Sequence, residues 1–377
     1  MRIISKVHRK LKKVYQKIIC HDESLYISRI SRKAPWVLVA YLPDVFYHQN
    51  DISYINAHQN KREALSMIPI LNKLGYNVYV RHYEYSGEIP NYNFQIIFGH
   101  PPLIERAAEQ FPKAKMVMYA TGCLYTHQNK QEIEITNAIN KRYGFSIPYV
   151  RLVKPYNCHI TSNKILLIGS KYTIETFPAN THSKITTIHQ SSQTIRTLTP
   201  IIYSNENDFL FIGSCGNLLK GVSFIVDYFS THPTKTIHII GPIEDYLESI
   251  RETLPPNIIL HGWLDINSDK YLSIISKCNF IIYPSGSEGA PGSVINAMYN
   301  GIIPIVTRWS AFDEISDYGF LMEGWDVKSI ANGVNWSDSL DRDEVLYRKR
   351  KCAEFAKHTY NLATFSEEFE KFFRNIS

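Results

Sequence analysis

The chain has 377 residues, of which 44% are apolar and 20% charged, with a formal net charge of +6. These values fit two globular domains of ordinary size and exclude a disordered or fibrous chain. No apolar run approaches the roughly 20 residues of a membrane-spanning helix, and six scattered cysteines without a Cys-x-x-Cys pair argue against a disulfide framework or a structural zinc site.

Positive charge concentrates at the start. Residues 1–19 carry Arg2, Lys6, Arg9, Lys10, Lys12, Lys13 and Lys17, and no acid precedes Asp22. Ile3, Ile4, Val7, Leu11, Val14, Tyr15, Ile18 and Ile19 recur at helical spacing, so residues 1–34 read as a basic amphipathic extension. Such a helix suits either its own domain surface or an anionic membrane surface, where each basic residue near lipid contributes about 1 kcal/mol. The N-terminus lacks an apolar signal core, so the expected location is cytoplasmic, and peripheral at the inner membrane face where the extension meets lipid. Nucleic acid is not an expected partner, because the rest of the chain shows no basic stripe interleaved with aromatics.

From residue 35 onward apolar strand-like runs alternate with helical patterns, as in parallel α/β sheets. Trp36–Tyr41 is the first predicted strand, followed by a polar loop over 43–59. A helix near 60–74 ends at Gly75, a suitable C-cap, and Pro69 is expected to kink it. Further strands are predicted at Asn77–Val80, Gln95–Phe98 and Met116–Ala120, with Lys164–Ile168 closing the first sheet. His100 directly follows one of these strands and Thr121-Gly122 another; with His127 they are candidates for an acceptor side. The first domain is set at 35–195.

A polar stretch, 190–208, reads as the linker. The second domain, 205–360, contains predicted strands at Phe209–Ile212, Thr236–Ile240, Asn257–Leu260, Phe280–Tyr283 and Ile302–Val306. Helices are expected near 220–230, 243–252, 269–277 and 293–300. Four polar loops follow strands of this half and so share one sheet edge. Gly213-Ser-Cys-Gly-Asn-Leu-Leu-Lys-Gly221 places a lysine at a helix start, where backbone N–H groups and an ammonium can hold a phosphate. His261-Gly-Trp-Leu264 comes next, then Pro284-Ser-Gly-Ser-Glu288, then Thr307-Arg-Trp-Ser310 running to Glu314. Asp341-Arg-Asp343 opens a C-terminal helix and reads as first-turn acid, not as a metal site.

This ordered set resembles the donor-binding half of the GT-B glycosyltransferases, most closely glycosyltransferase family 4. The matching stretches are Gly213 to Lys220-Gly221, Ile240-Gly241, Leu260-His-Gly262, Pro284-Ser285, Glu288-Gly289 through Asn296-Ala-Met298, Gly301 and Asp313-Glu314. The resemblance implies two facing Rossmann-like domains, with a terminal helix over 361–377 crossing back to the first. It implies transfer of a sugar, with retention, from a nucleotide-diphosphate-sugar to a hydroxyl of a glycan or lipid-linked acceptor. No metal or other cofactor is called for. Lys220 matches the residue that neutralises the diphosphate, and Glu288 the one that binds hydroxyls of the donor sugar. Gly213, Ser214, Gly221, Trp263, Leu264, Gly289, Ala290, Pro291, Gly292, Ser293 and Asn296 complete the implied donor site, and His100 joins the catalytic set. The chain departs from the pattern twice. Ser214 stands where an arginine is usual, leaving Arg308 or an N-domain residue to supply that charge, and Asn296 stands where a second glutamate holds the ribose. Those departures leave a non-catalytic nucleotide-sugar-binding subunit as an alternative, beside a GT-B nucleotide-sugar epimerase.

Overall fold

The computed structural model describes residues 23–205, 207–214, 216–242, 245–312 and 315–376. The basic segment 1–19, Asp313 and Glu314 therefore lie outside the described residues, as do Cys20 and Cys215. The four described cysteines, Cys123, Cys158, Cys278 and Cys352, are free thiols. No described helix is long and apolar enough to cross a membrane.

The N-terminal sheet has seven strands in the order β1-β3-β2-β4-β5-β6-β7. They are β1 (Leu25–Ser28), β2 (Trp36–Tyr41), β3 (Asn77–His82), β4 (Phe94–Gly99), β5 (Lys115–Ala120), β6 (Lys164–Ile168) and β7 (Ile185–Ile188). All pair in parallel except β1, which runs antiparallel to β3. Strand β6 does not close this sheet, contrary to expectation: β7 lies outside it. Nor is all of 1–34 an extension, since Leu25–Ser28 forms an edge strand. Both additions are four-residue edge strands, half-exposed, and so lack the continuous apolar run of a buried parallel strand.

The C-terminal sheet is wholly parallel, ordered β10-β9-β8-β11-β12-β13. Its strands are β8 (Asp208–Ile212), β9 (Thr236–Ile240), β10 (Ile258–Gly262), β11 (Phe280–Tyr283), β12 (Ile303–Thr307) and β13 (Phe320–Met322). In both sheets the winding direction reverses once: between β2 and β4 in the first, between β8 and β11 in the second. Parallel sheets of this kind bind ligands beyond the carboxyl ends of the strands flanking such a reversal.

The helix Gln59–Lys73 runs through Pro69 without ending there. The buried Ala64, Met67, Ile68 and Leu71 hold it on the sheet and offset the hydrogen bond that proline cannot donate. The last helix, Leu362–Ile376, leaves the second domain and buries Phe365, Phe369, Phe372, Phe373 and Ile376 in the core of the first. Phe98 of β4 meets Phe369 and Phe373 edge-on, at ring separations of 5.6 and 5.2 Å. The linker residue Ser192 is held from both sides. Its carbonyl accepts from Arg62 of the first domain at 2.7 Å, and its N–H donates to the carbonyl of Tyr360 at 2.8 Å. The two domains are thus joined by a buried strap as well as by the returning helix.

Candidate active site

A cleft of about 1830 Å³ separates the two domains, at the carboxyl ends of both sheets. That exceeds the roughly 300–1,000 Å³ of an ordinary small-molecule pocket, and gives room for two ligands side by side. On the C-terminal side it is lined by Gly213, Ser214, Lys220, Trp263, Leu264, Glu288, Gly289, Ala290, Pro291, Gly292, Ser293 and Asn296.

The turn after β8 brings Lys220 back over the strand end. Gly221, at φ +77°, caps the helix Val222–Ser230 in the left-handed region, and a Cβ there would sit 2.4 Å from the carbonyl of Pro284. Gly221 is therefore a structural glycine, absent from the cleft lining although sequence reasoning placed it there. Lys220 is 7% exposed and its Nζ donates to Ser214 Oγ at 2.6 Å. The serine thus orients the ammonium and adds no charge. A second cation of the cleft lining belongs to the N-terminal domain. Arg151 lines the cleft and lies against Gly216, where a Cβ would meet its Cδ at 2.6 Å. Arg308 is not in the cleft lining, and its guanidinium lies over the rings of Tyr172 and Trp309.

Glu288 is fixed from several directions. Tyr283 donates its hydroxyl to Glu288 Oε1 at 3.0 Å, and Ser285 Oγ approaches the same oxygen at 3.4 Å. Burial, then the charge of Glu288, hold the Tyr283 phenol well above its ordinary pKa, so it remains a donor. The backbone N–H of Glu288 donates to the carbonyl of Trp309 at 3.0 Å. The loop after β12 therefore braces the Glu288 loop, and none of its described residues lines the cleft. Asn296 is 2% exposed. Its Nδ2 donates to Gln193 Oε1 at 2.6 Å, while its Oδ1 is buried without a partner.

On the opposite wall His100 is wedged among Tyr41, Tyr83 and Tyr119, with ring separations of 5.2, 5.6 and 5.5 Å. Burial alone pushes its pKa down to about 4, so near neutrality the ring is uncharged. Thr121 and Gly122 line the cleft next to the Glu288 loop. His127 does not: it bonds the carbonyl of Gly286 at 3.0 Å and packs on Trp309, which makes it a clasp between domains. Asp341 caps the helix Arg342–Thr359, accepting from the N–H of Glu344. Among the described residues no three His, Cys, Asp or Glu side chains gather as a metal site would require.

Residues 206–336 match the family described as glycosyl transferases group 1. The match covers most of the C-terminal domain. Solved structures extend the likeness in fold to almost the whole chain. Sucrose-phosphate synthase from Thermosynechococcus elongatus matches 91% of this chain over 99% of its own chain, at a TM-score of 0.62 and 11% identity. A glycosyltransferase from Rickettsia africae matches 92% over 99%, at 0.58 and 14%. HepE of Anabaena, in complex with UDP and glucose, matches 91% over 100%, at 0.55 and 12%. No curated protein matches the sequence. The fold is GT-B, and the group 1 match lies over its C-terminal domain.

Sequence reasoning missed Arg151, Gln193 and Glu63 of the cleft. Arg151 and Gln193 come from irregular segments without periodicity. Glu63 falls on a helix face that carries no motif.

Proposed function

We propose that the enzyme transfers a sugar, with retention, from a nucleotide-diphosphate-sugar to a hydroxyl of a glycan or lipid-linked acceptor in surface polysaccharide or glycolipid synthesis. The observation that carries this reading is the pairing in one cleft of a buried ammonium, Lys220, with a fixed carboxylate, Glu288. The diphosphate takes up negative charge as the bond to the sugar breaks. Lys220 and Arg151 stabilise that charge, Lys220 from a buried position where a preorganised cation acts most strongly. Glu288 accepts hydrogen bonds from donor-sugar hydroxyls and fixes the ring for transfer. Asn296 Oδ1 accepts from a ribose hydroxyl, its amide nitrogen being committed to Gln193. HepE, of the same fold, is seen with UDP and glucose, which supports a nucleoside diphosphate here. Nothing in this scheme requires a metal ion.

A thermal-shift panel of nucleoside diphosphates tests the donor site. A ligand at about 100 times its dissociation constant adds about 2.7 kcal/mol to a state that it alone binds. One nucleotide should raise the midpoint of the wild type and not that of Lys220→Ala. A panel without any response would remove the donor site. The basic segment 1–19 would keep the enzyme beside a membrane-borne acceptor; liposome binding that survives its deletion unchanged would end that part of the reading.

A further inference from the structure

Three buried polar atoms in the N-terminal wall of the cleft have no hydrogen-bond partner in the protein: the Tyr119 hydroxyl, Gln190 Nε2 and Asn60 Oδ1. The side chains of Tyr119 and Gln190 are 0% and 4% exposed. The three atoms come from strand β5, the linker strap and the helix Gln59–Lys73, and they converge on Glu63. That carboxyl is 1% exposed and lines the cleft. Its Oε1 accepts from the N–H of Ser191, next to Gln190, at 2.6 Å. Its charge acts on the phenols of both Tyr119 and Tyr41.

Leaving one buried polar atom unpaired costs about 1–3 kcal/mol, and native proteins leave few. Three from separate elements, in one wall of a ligand cleft, mark a place where a ligand completes the hydrogen bonding. We propose that Glu63, Asn60, Tyr119 and Gln190 form a seat for an uncharged, hydroxyl-bearing sugar ring. On the transferase reading, on which this inference rests, that ring belongs to the acceptor.

The chemistry of the four groups selects this ligand class. Gln190 Nε2 donates, Asn60 Oδ1 accepts, and the Tyr119 hydroxyl does either. Glu63, lifted by burial to about 7, accepts when ionised and donates when protonated. Neighbouring sugar hydroxyls offer the same alternation of donor and acceptor. An anion meets the wrong partners here. Asn60 and Glu63 present oxygens, the adjacent His100 is uncharged, and Arg62 is committed to the carbonyl of Ser192. Lys220 and Arg151 sit on the glycine-loop side, and Lys154 is exposed. The seat lies beside the point where the winding reverses between β2 and β4 and lines the same cleft as Glu288, so a ring held there shares that cleft with the donor.

The test uses methyl glycosides of glucose, galactose and mannose, and methyl glucuronide as the anionic counterpart. Binding is followed by saturation-transfer NMR on the wild type, Tyr119→Phe, Gln190→Ala and Lys220→Ala. At least one neutral glycoside should bind and the glucuronide should not. Tyr119→Phe and Gln190→Ala should each weaken that binding about tenfold, one hydrogen bond's worth, and Lys220→Ala should leave it unchanged. The free Tyr119→Phe protein should melt at or above the wild-type midpoint, because the hydroxyl it loses has no partner to strand. A lower midpoint with glycoside binding unchanged would make Tyr119 merely structural and overturn the proposal. So would the absence of binding by every neutral glycoside, or equal binding of the glucuronide. The diphosphate panel, run on the same variants, separates the two readings. Glycoside binding through Tyr119 without any nucleotide response leaves the seat standing and removes the transferase scheme, and the converse removes the seat alone.

Discussion

Glu288→Gln is expected to lower turnover by roughly 10²–10³-fold while nucleoside diphosphate binding and the melting midpoint stay close to wild type. Glutamine keeps an oxygen where Glu288 Oε1 accepts from Tyr283 at 3.0 Å, so the phenol retains its partner. What is lost is the charge and one acceptor facing the sugar, both of which the proposed mechanism uses. Glu288→Ala is the less informative variant. It strands the hydroxyl of the fully buried Tyr283 and adds a folding cost of about 1–3 kcal/mol to the catalytic loss. Initial-rate kinetics with the nucleotide-sugar found by the thermal-shift panel, beside a melting curve for each variant, separates the effects. Wild-type turnover in Glu288→Gln would remove the carboxylate from the mechanism. A large loss in kcat without a comparable change in diphosphate affinity would place its action on the sugar.

The donor side was legible in the sequence because its chemistry is local. Gly213, Lys220 and Glu288 occupy βα turns of one parallel sheet and Asn296 the helix that follows one of them, and strand periodicity alone puts such turns on one edge. The acceptor side lacks that property. His100 and Thr121 were found because they directly follow apolar strands, whereas Arg151 and Gln193 lie in segments whose backbone carries no repeat. Their partners are remote: Gln193 meets Asn296 across 103 residues, and His127 meets Gly286 across 159. No spacing rule reaches that far. Pro69 shows tertiary override in the other direction. The local rule permits an end at the proline, and burial of Met67, Ile68 and Leu71 keeps the helix running to Lys73. Glu63 is the most telling omission. A lone glutamate on an amphipathic helix reads as a solvated face, and only the fold turns that face toward the linker and the cleft.

The contact between Gly289 and the N-terminal domain decides how closely the two walls approach, and Gly289→Ala should open them. A Cβ on Gly289 would lie 2.3 Å from the carbonyl oxygen of Thr121 and 3.0 Å from that of Ile168. Both are backbone atoms, one on the last residue of β6 and one on the residue directly after β5, so neither can swing aside as a side chain can. On the other side Gly122 faces Gly289 just as closely, since a Cβ there would stand 3.0 Å from its amide nitrogen. An interface between domains yields more easily than a close-packed core. The strain should therefore be relieved by separation, not by unfolding. Each domain should keep its near-UV circular dichroism while the radius of gyration measured by small-angle scattering rises. Because Gly289 is adjacent to Glu288, a shift of about 1 Å there moves the donor sugar away from the acceptor wall. A misplacement of that size is enough for roughly 10²-fold in kcat/KM. Nucleoside diphosphate affinity should fall less, since Lys220 and Ser214 belong to the C-terminal domain and only Arg151 withdraws with the opposite wall. Unchanged scattering with full activity would mean that the loop absorbs the methyl group locally. Loss of transfer with retained diphosphate binding would show that catalysis depends on the distance between the two walls as well as on the residues that line them.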